Sequence, residues 1–166
     1  MITMKKILIP TDFSKGSESA IRYGCELAAK FNAEIHLLNV LPETVGGFEG
    51  YYAFSPEVIE DIRKEAHAKM NSISVPESHS GQKVIKVVVT GVPFLEIVRY
   101  AKNQQIDLIV MGTYGRGAIS HILLGSVAER VVRKAPCPVL TVRNAEPGST
   151  VHEDSAEVRS KDSVTV

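Results

Sequence analysis

Cysteine is scarce, charge is balanced and long apolar runs are missing, and each shortage closes off a class of function. Cys25 and Cys137 are the only cysteines in 166 residues. Neither has a second Cys or a close His at metal-ligand spacing, so the expectation is two reduced thiols packed as small apolar groups. Lys plus Arg number 19 and Asp plus Glu number 19, a formal net charge of zero. That is not the basic footprint of a nucleic-acid binder, although a local phosphate site is compatible with a neutral total. The opening Lys5-Lys6-Ile7-Leu8-Ile9 resembles the start of an export signal. Its apolar run ends at Pro10 and Asp12, short of the roughly 7–15 residues such a signal needs. No stretch approaches the ~18 consecutive apolar residues of a membrane span. The expectation is a soluble, cytoplasmic protein with no nucleic-acid and no membrane partner.

What is present is ordinary for a globular chain: 44% hydrophobic and 23% charged residues. At roughly 100–200 residues per domain this length predicts one domain with a core of its own. Strand and helix patterns alternate. Lys6–Pro10 reads as a buried strand. Ser14 to Phe31 follows with a helical period and Ser14 as N-cap. Glu34–Val40 reads as the second strand. Ser55-Pro56-Glu57 opens a helix whose apolar face is Val58, Ile59, Ile62, Ala66, Met70 and Ile73. Lys83–Thr90 is the third strand, Pro93 to about Asn103 the third helix and Asp107–Met111 the fourth strand. Ser126–Lys134 is the last helix and Pro138–Val142 the last strand. Apolar runs separated by amphipathic helices predict an α/β, doubly wound, five-stranded parallel sheet with helices on both faces. The favoured strand order is 3-2-1-4-5. Ligands bind such sheets at the carboxyl ends of the strands, where the order reverses. Thr11 and Asp12 after strand one would meet Gly112 onward after strand four. Residues 144–166 are Ser-, Glu- and Asp-rich and are expected to be a polar tail outside a domain spanning 1–143.

The segment from Gly112 to Ser126 carries the chemistry. Its glycines allow the backbone to approach a ligand closely, and successive N–H groups in such a loop form a nest for phosphate oxygens. Gly125-Ser126 stands at a helix start, where unpaired amides and the positive dipole end favour phosphate. Ser126 with Glu129 also fits a capping box, the structural alternative for that serine. The segment is not a Walker loop, since no Gly-Lys-Ser/Thr occurs. It is not a dinucleotide fingerprint, since Gly115-Arg116-Gly117 is followed by Ser120 at the third position.

Gly112-x2-Gly115-x9-Gly125-Ser126 resembles the G-x2-G-x9-G-[S/T] signature of ATP-binding universal stress proteins. Ile7-Leu8-Ile9-Pro10-Thr11-Asp12-Phe13-Ser14 looks like that family's first strand and acidic turn, and Ala135 to Val142 like its last strand. The resemblance covers Met4 to Arg143. It implies a homodimer formed through the last strand, and ATP, or ADP or AMP, held with Mg2+ or Mn2+. By the same resemblance Pro10, Thr11 and Asp12 line the adenosine and metal side, with Asp12 an indirect metal contact. Val40 touches adenine through its backbone. Gly112, Thr113, Tyr114, Gly115, Arg116, Gly117 and Ala118 run along ribose and phosphates. Gly125, Ser126 and Val127 hold the phosphates. Family members often carry Ser-His or Ser-Arg where this chain has Thr113-Tyr114.

Each of these residues has a plainer reading. Asp12 also suits a helix-entry acid held by first-turn amides, and Arg116 a solvated loop arginine. His121, beside Ile122, Leu123 and Leu124, reads as packed. His67 lies on a charged helix face. Tyr51, Tyr52 and Phe54 form an aromatic patch that is either packing, a cover over adenine or a partner surface. The expected function is a nucleotide-responsive regulator acting on an unknown protein partner. The alternatives are a slow ATP hydrolase and a dimeric interaction module without nucleotide. Fast phosphoryl transfer needs a positioned base and cationic charge over the γ-phosphate; the segment holds no Lys and no carboxylate, so no catalytic residue is assigned. A flavodoxin-like redox role suits the strand order but lacks an aromatic-flanked flavin loop.

Overall fold

Five short runs rich in Ile, Leu and Val become strands because both of their faces are covered by helices. A computed structural model describes residues 3–42, 55–75, 81–113 and 124–143. Its elements are β1 (Lys6–Pro10), α1 (Lys15–Phe31), β2 (Glu34–Pro42), α2 (Pro56–Ser72), β3 (Val84–Gly91), α3 (Pro93–Gln104), β4 (Leu108–Gly112), α4 (Ser126–Lys134) and β5 (Val139–Val142). The sheet order is β3-β2-β1-β4-β5, and every neighbouring pair is parallel. This is the doubly wound α/β arrangement read from the sequence.

Successive residues of β1 point to opposite faces, and both faces are core. Ile7 and Ile9 pack with Ile35, Leu37 and Val110 against Ala20, Cys25 and Ala28 of α1 and Met70 of α2. Leu8 packs with Leu38, Ile109 and Met111 against Ile97 and Ala101 of α3 and Ala128 and Val131 of α4. Burial pushes the Cys25 thiol up to about 11, with Glu26 adding to the effect, as suits a packed, unreactive group.

The strands depart from their expected bounds for local reasons. β4 starts at Leu108 and not at Asp107. Asp107 Oδ2 instead accepts from the N–H groups of Lys5 and Lys6, at 2.7 and 2.9 Å, and fastens the entry of β1. β2 runs on to Pro42 because β3 stays alongside it as far as Pro42↔Gly91. On α2 the apolar stripe is only half used. Ala66 and Met70 are buried, while Val58, Ile59 and Ile62 remain 41%, 39% and 38% exposed. Tyr51, Tyr52, Phe54, His121 and residues 144–166 lie outside the described residues. Among the described residues, no helix is long and apolar enough to cross a membrane.

Candidate functional site

The carboxyl end of the sheet opens around the last two residues of its central strand. Lys6 offers its carbonyl to Asp107 N–H, so the even-numbered peptide groups of β1 face β4. Pro10 is the next but one of that set and has no N–H to give. The β1–β4 register accordingly comprises Ile7↔Leu108 and Leu8↔Ile109 and goes no further. A proline is tolerated inside a sheet only at such a strand end. Here it parts the sheet at the point where the order reverses.

Thr11 and Asp12 form a corner held by short hydrogen bonds. Thr11 N–H donates to Leu38 O at 2.8 Å. The Thr11 hydroxyl donates to Ser17 Oγ at 3.0 Å and accepts from Phe13 N–H at 3.1 Å. Asp12 Oδ1 accepts from Ser14 N–H at 3.1 Å. Ser14 caps α1 by accepting from Ser17 N–H at 3.3 Å, and Ser17 Oγ returns a bond to Ser14 O at 2.8 Å. These bonds fasten Phe13 at φ 63°, in the left-handed region. A bulky residue there costs about 1–3 kcal/mol, which the surrounding bonds must offset.

Asn39 closes the corner from β2. Its Nδ2 donates to Thr11 O at 2.8 Å. The opposite amide atom, Oδ1, is sealed from solvent and has no hydrogen-bond partner among the described residues. The donor end must face Thr11, since two carbonyl oxygens would repel. An acceptor left unpaired in this way costs about 1–3 kcal/mol. Neither Asn39 nor Ser17 stood out in the sequence. The available signal was a polar residue inside the run Leu37-Leu38-Asn39-Val40.

The glycine segment meets this corner through α1. A Cβ on Gly112 would stand 2.9 Å from both the C and the O of Gly16 and 3.4 Å from Ser17 N. The backbone of α1 therefore excludes a Cβ at the first motif glycine, a packing reason that stands beside the expected ligand approach. Thr113 is buried, its N–H bonded to Val142 O at 3.0 Å. Thr113 O receives the N–H of Gly125 at 2.7 Å, which ties the two ends of the segment together. Tyr114, Gly115, Arg116, Gly117 and Ala118 lie outside the described residues.

At α4 the N-cap is Gly125, with no side-chain cap. Ser126 is the first helical residue and is exposed. The capping-box reading of Ser126 is thus overturned: the first helical bond, Glu129 N–H to Gly125 O at 2.9 Å, puts the cap one residue earlier. Glu129 pairs instead with Arg133 at 3.4 Å. The amides of Ser126, Val127 and Ala128 precede that first bond and have no partner within the helix. Gly125 N–H is already committed to Thr113. The amides left for an anion begin at Ser126.

A divalent ion has no ready-made cage here. Among the described residues, no group of three or more His, Cys, Asp or Glu is placed to hold one, and Asp12 Oδ1 already accepts from Ser14.

A second buried polar cluster lies at the amino end of the sheet. His36, on β2, is 1% exposed. Its Nε2 is 2.7 Å from Glu34 Oε1 and its Nδ1 is 2.8 Å from Tyr100 Oη of α3. A carboxylate only accepts, so Nε2 carries the proton, Nδ1 accepts, and Tyr100 donates. Glu34 also pairs with Lys83 at 2.9 Å. The Lys83 hydrogen bond leads the causes that lower the Glu34 pKa. Burial, aided by Lys6 and Lys83, holds His36 below the usual histidine value although Glu34 pulls the other way. Burial keeps the Tyr100 proton on, raising its pKa.

Comparison with known proteins places this geometry. The universal stress protein family matches residues 3–143. The chain is 39% identical over 142 residues to universal stress protein MJ0531 of Methanocaldococcus jannaschii, covering 84% of this chain and 82% of that protein. It is similar to the solved structure of MJ0577 from the same organism, with a TM-score of 0.71, 35% identity, and coverage of 87% of this chain and 99% of that one. The structure of universal stress protein UspA from Lactobacillus plantarum gives a TM-score of 0.72 at 25% identity, covering 86% and 100%.

Proposed function

Since this chain belongs to the universal stress protein family, we propose that it is an ATP-binding member acting as a nucleotide-responsive regulator. The observation that carries the reading is the end of the β1–β4 pairing before Pro10 together with the amides of Ser126, Val127 and Ala128 at the start of α4, which have no partner within the helix. The base and ribose would lie beside Thr11, Asp12 and Val40, where the β1–β4 pairing has ended. The helix start offers N–H donors and a positive dipole end for phosphate. The nucleotide-binding unit is taken as 1–143. ATP, or its product ADP or AMP, would enter with Mg2+ or Mn2+ neutralising the phosphates. Homodimerisation would use β5, an edge strand of the sheet, and a partner protein would read the loaded state. A ligand present at 100 times its dissociation constant stabilises the folded state by about 2.7 kcal/mol. That is enough to turn nucleotide level into a change of structure.

The test is direct. The purified protein is denatured and the released small molecules identified. Intact ATP supports the regulator; ADP with sustained phosphate release makes the chain a hydrolase. An empty protein whose melting temperature ignores Mg-ATP sinks the nucleotide reading in favour of a bare interaction module. Gly125→Val adds a matched control. Gly125 has φ −68° and ψ 155°, which valine adopts without strain. Its side chain obstructs close approach of a phosphate to the helix start. The nucleotide-induced melting shift should vanish, while the ligand-free protein melts within about 2 °C of the parent.

A further inference from the structure

The bonds between β1 and β2 follow a fixed step. Glu34 N–H donates to Lys5 O, and Thr11 N–H donates to Leu38 O, each at 2.8 Å. A parallel ladder repeats every two residues. Continued by three steps from Glu34 and Lys5, it places Val40 N–H on Thr11 O. That rung is not among the bonds of the described residues. Thr11 O is taken by Asn39 Nδ2 at 2.8 Å instead. β2 itself does not end there, since Val40 still pairs in register with Val89 of β3. Among the described residues only the β1 side of Val40 lacks a strand partner, because β1 stops at Pro10.

We propose that Asn39 is a positioning residue: its side-chain amide replaces the backbone of Val40 on the Thr11 carbonyl, leaving the Val40 N–H and C=O facing the mouth as a donor–acceptor pair for the edge of a purine base. In a strand the N–H and C=O of one residue point to the same side. Leu38 O, two residues earlier, already shows that this side is the β1 side. An apolar residue at 39 would leave the Thr11 carbonyl in need of a donor, and Val40 N–H is the nearest ladder candidate. The amide of Asn39 also holds the Thr11–Asp12 corner against β2. A buried side chain that satisfies only one of its two ends is poorly explained by packing alone. It is explained by a need to hold one carbonyl without using the main chain. This inference rests on the nucleotide reading for the identity of the ligand, but not for the freed edge itself.

Two measurements on the full chain test it. The first is amide hydrogen exchange in the ligand-free parent protein. Val40 N–H should exchange at least about 100-fold faster than Leu38 N–H, its neighbour on the same side of the same strand. Equal protection of the two overturns the proposal, and this reading needs no variant. The second compares ATP with inorganic tripolyphosphate binding to Asn39→Leu. ATP affinity should fall about tenfold, the scale of one net hydrogen bond, and tripolyphosphate affinity should stay within about twofold. Val40 N–H should also become protected in the variant. Affinities that fall together make Asn39 merely structural and overturn the proposal. A parent protein that binds no ATP yet exchanges Val40 freely overturns the nucleotide reading, and with it the purine, while supporting Asn39 as the residue that frees the edge.

Discussion

The two ends of the sheet both bury polar side chains, and they set them in different surroundings. At the amino end Tyr100, His36, Glu34 and Lys83 stand in one chain of close polar contacts across α3, β2 and the entry to β3; the His36 Nε2–Glu34 contact is close but off hydrogen-bond geometry, and Gln82 Oε1 is unpaired among the described residues. At the carboxyl end Asn39 leaves Oδ1 unpaired, Phe13 stands in a left-handed conformation, and Pro10 removes a rung. A chain of charged and polar contacts between packed elements is what holding the fold would select. What sets the carboxyl end apart is backbone strain at Phe13 beside an interrupted strand pairing, features that stability alone does not ask for. The nucleotide site proposed above lies at the end that is costlier to fold.

The comparison predicts where substitutions should hurt. The largest loss should come from His36→Ala. It opens a cavity beneath α3 and strands both the Tyr100 hydroxyl and Glu34. Chemical denaturation should read a loss of about 3 kcal/mol; a loss below about 1 kcal/mol would mean the amino-end network is not the structural one. Next is Gly112→Ala. Its Cβ meets the Gly16 carbonyl at 2.9 Å, and backbone yields less easily than a side-chain tip. A loss of about 2 kcal/mol is expected, confined to stability if the glycine serves packing and not ligand.

Acid comes third and bears on the amino end. Burial lowers the His36 pKa below its unfolded value. Over the interval between the two the unfolded chain binds more protons, so stability falls as pH drops from neutrality through the ordinary histidine value. Glu34 acts later: its pKa is lowered, so its contribution persists above the ordinary carboxylate value and is lost below it. The urea midpoint should therefore decline between about pH 7.5 and pH 5.5, and His36→Gln should flatten that decline. A midpoint that rises on acidification would show His36 already charged at neutrality, facing Glu34, Lys6, Lys83 and Tyr100 as a cation.

Much of the fold was legible because its signals are local. The Ile-rich run ended by Pro10 marks β1 at its observed bounds, and Ser14 caps α1 as its position implies. The strand order follows from alternation and handedness. What was hidden depends on contacts distant in sequence. Asp107 looks like the first residue of β4 until its carboxylate is seen on Lys5 and Lys6, more than a hundred residues away. Glycine spacing marks Gly112 but does not distinguish a phosphate from the backbone of Gly16. Ser-x-x-Glu fits a cap at Ser126 or one residue earlier, and only the Gly125 carbonyl decides between them. Asn39 acts on Thr11, 28 residues back, and nothing in either residue type announces the pairing.

The smallest effect is the most informative for the carboxyl end. Asn39→Leu removes one hydrogen bond, worth about 1 kcal/mol net, and also removes an unpaired buried acceptor that costs about 1–3 kcal/mol. Leucine shares the branched heavy-atom skeleton of asparagine, is somewhat bulkier, and is more at home in this core. If Val40 N–H then closes on the Thr11 carbonyl, nothing is left unsatisfied, and the folded state changes by less than about 1 kcal/mol in either direction. That near-neutrality is the signature of a residue kept for position. His36→Ala and Asn39→Leu both delete a side chain almost fully buried in β2. A single protein that loses about 3 kcal/mol from one and almost none from the other has divided its polar groups between holding the fold and shaping its mouth. If Asn39→Leu proves as damaging in urea as His36→Ala, the two ends are alike, and the carboxyl end loses its claim to be different in kind.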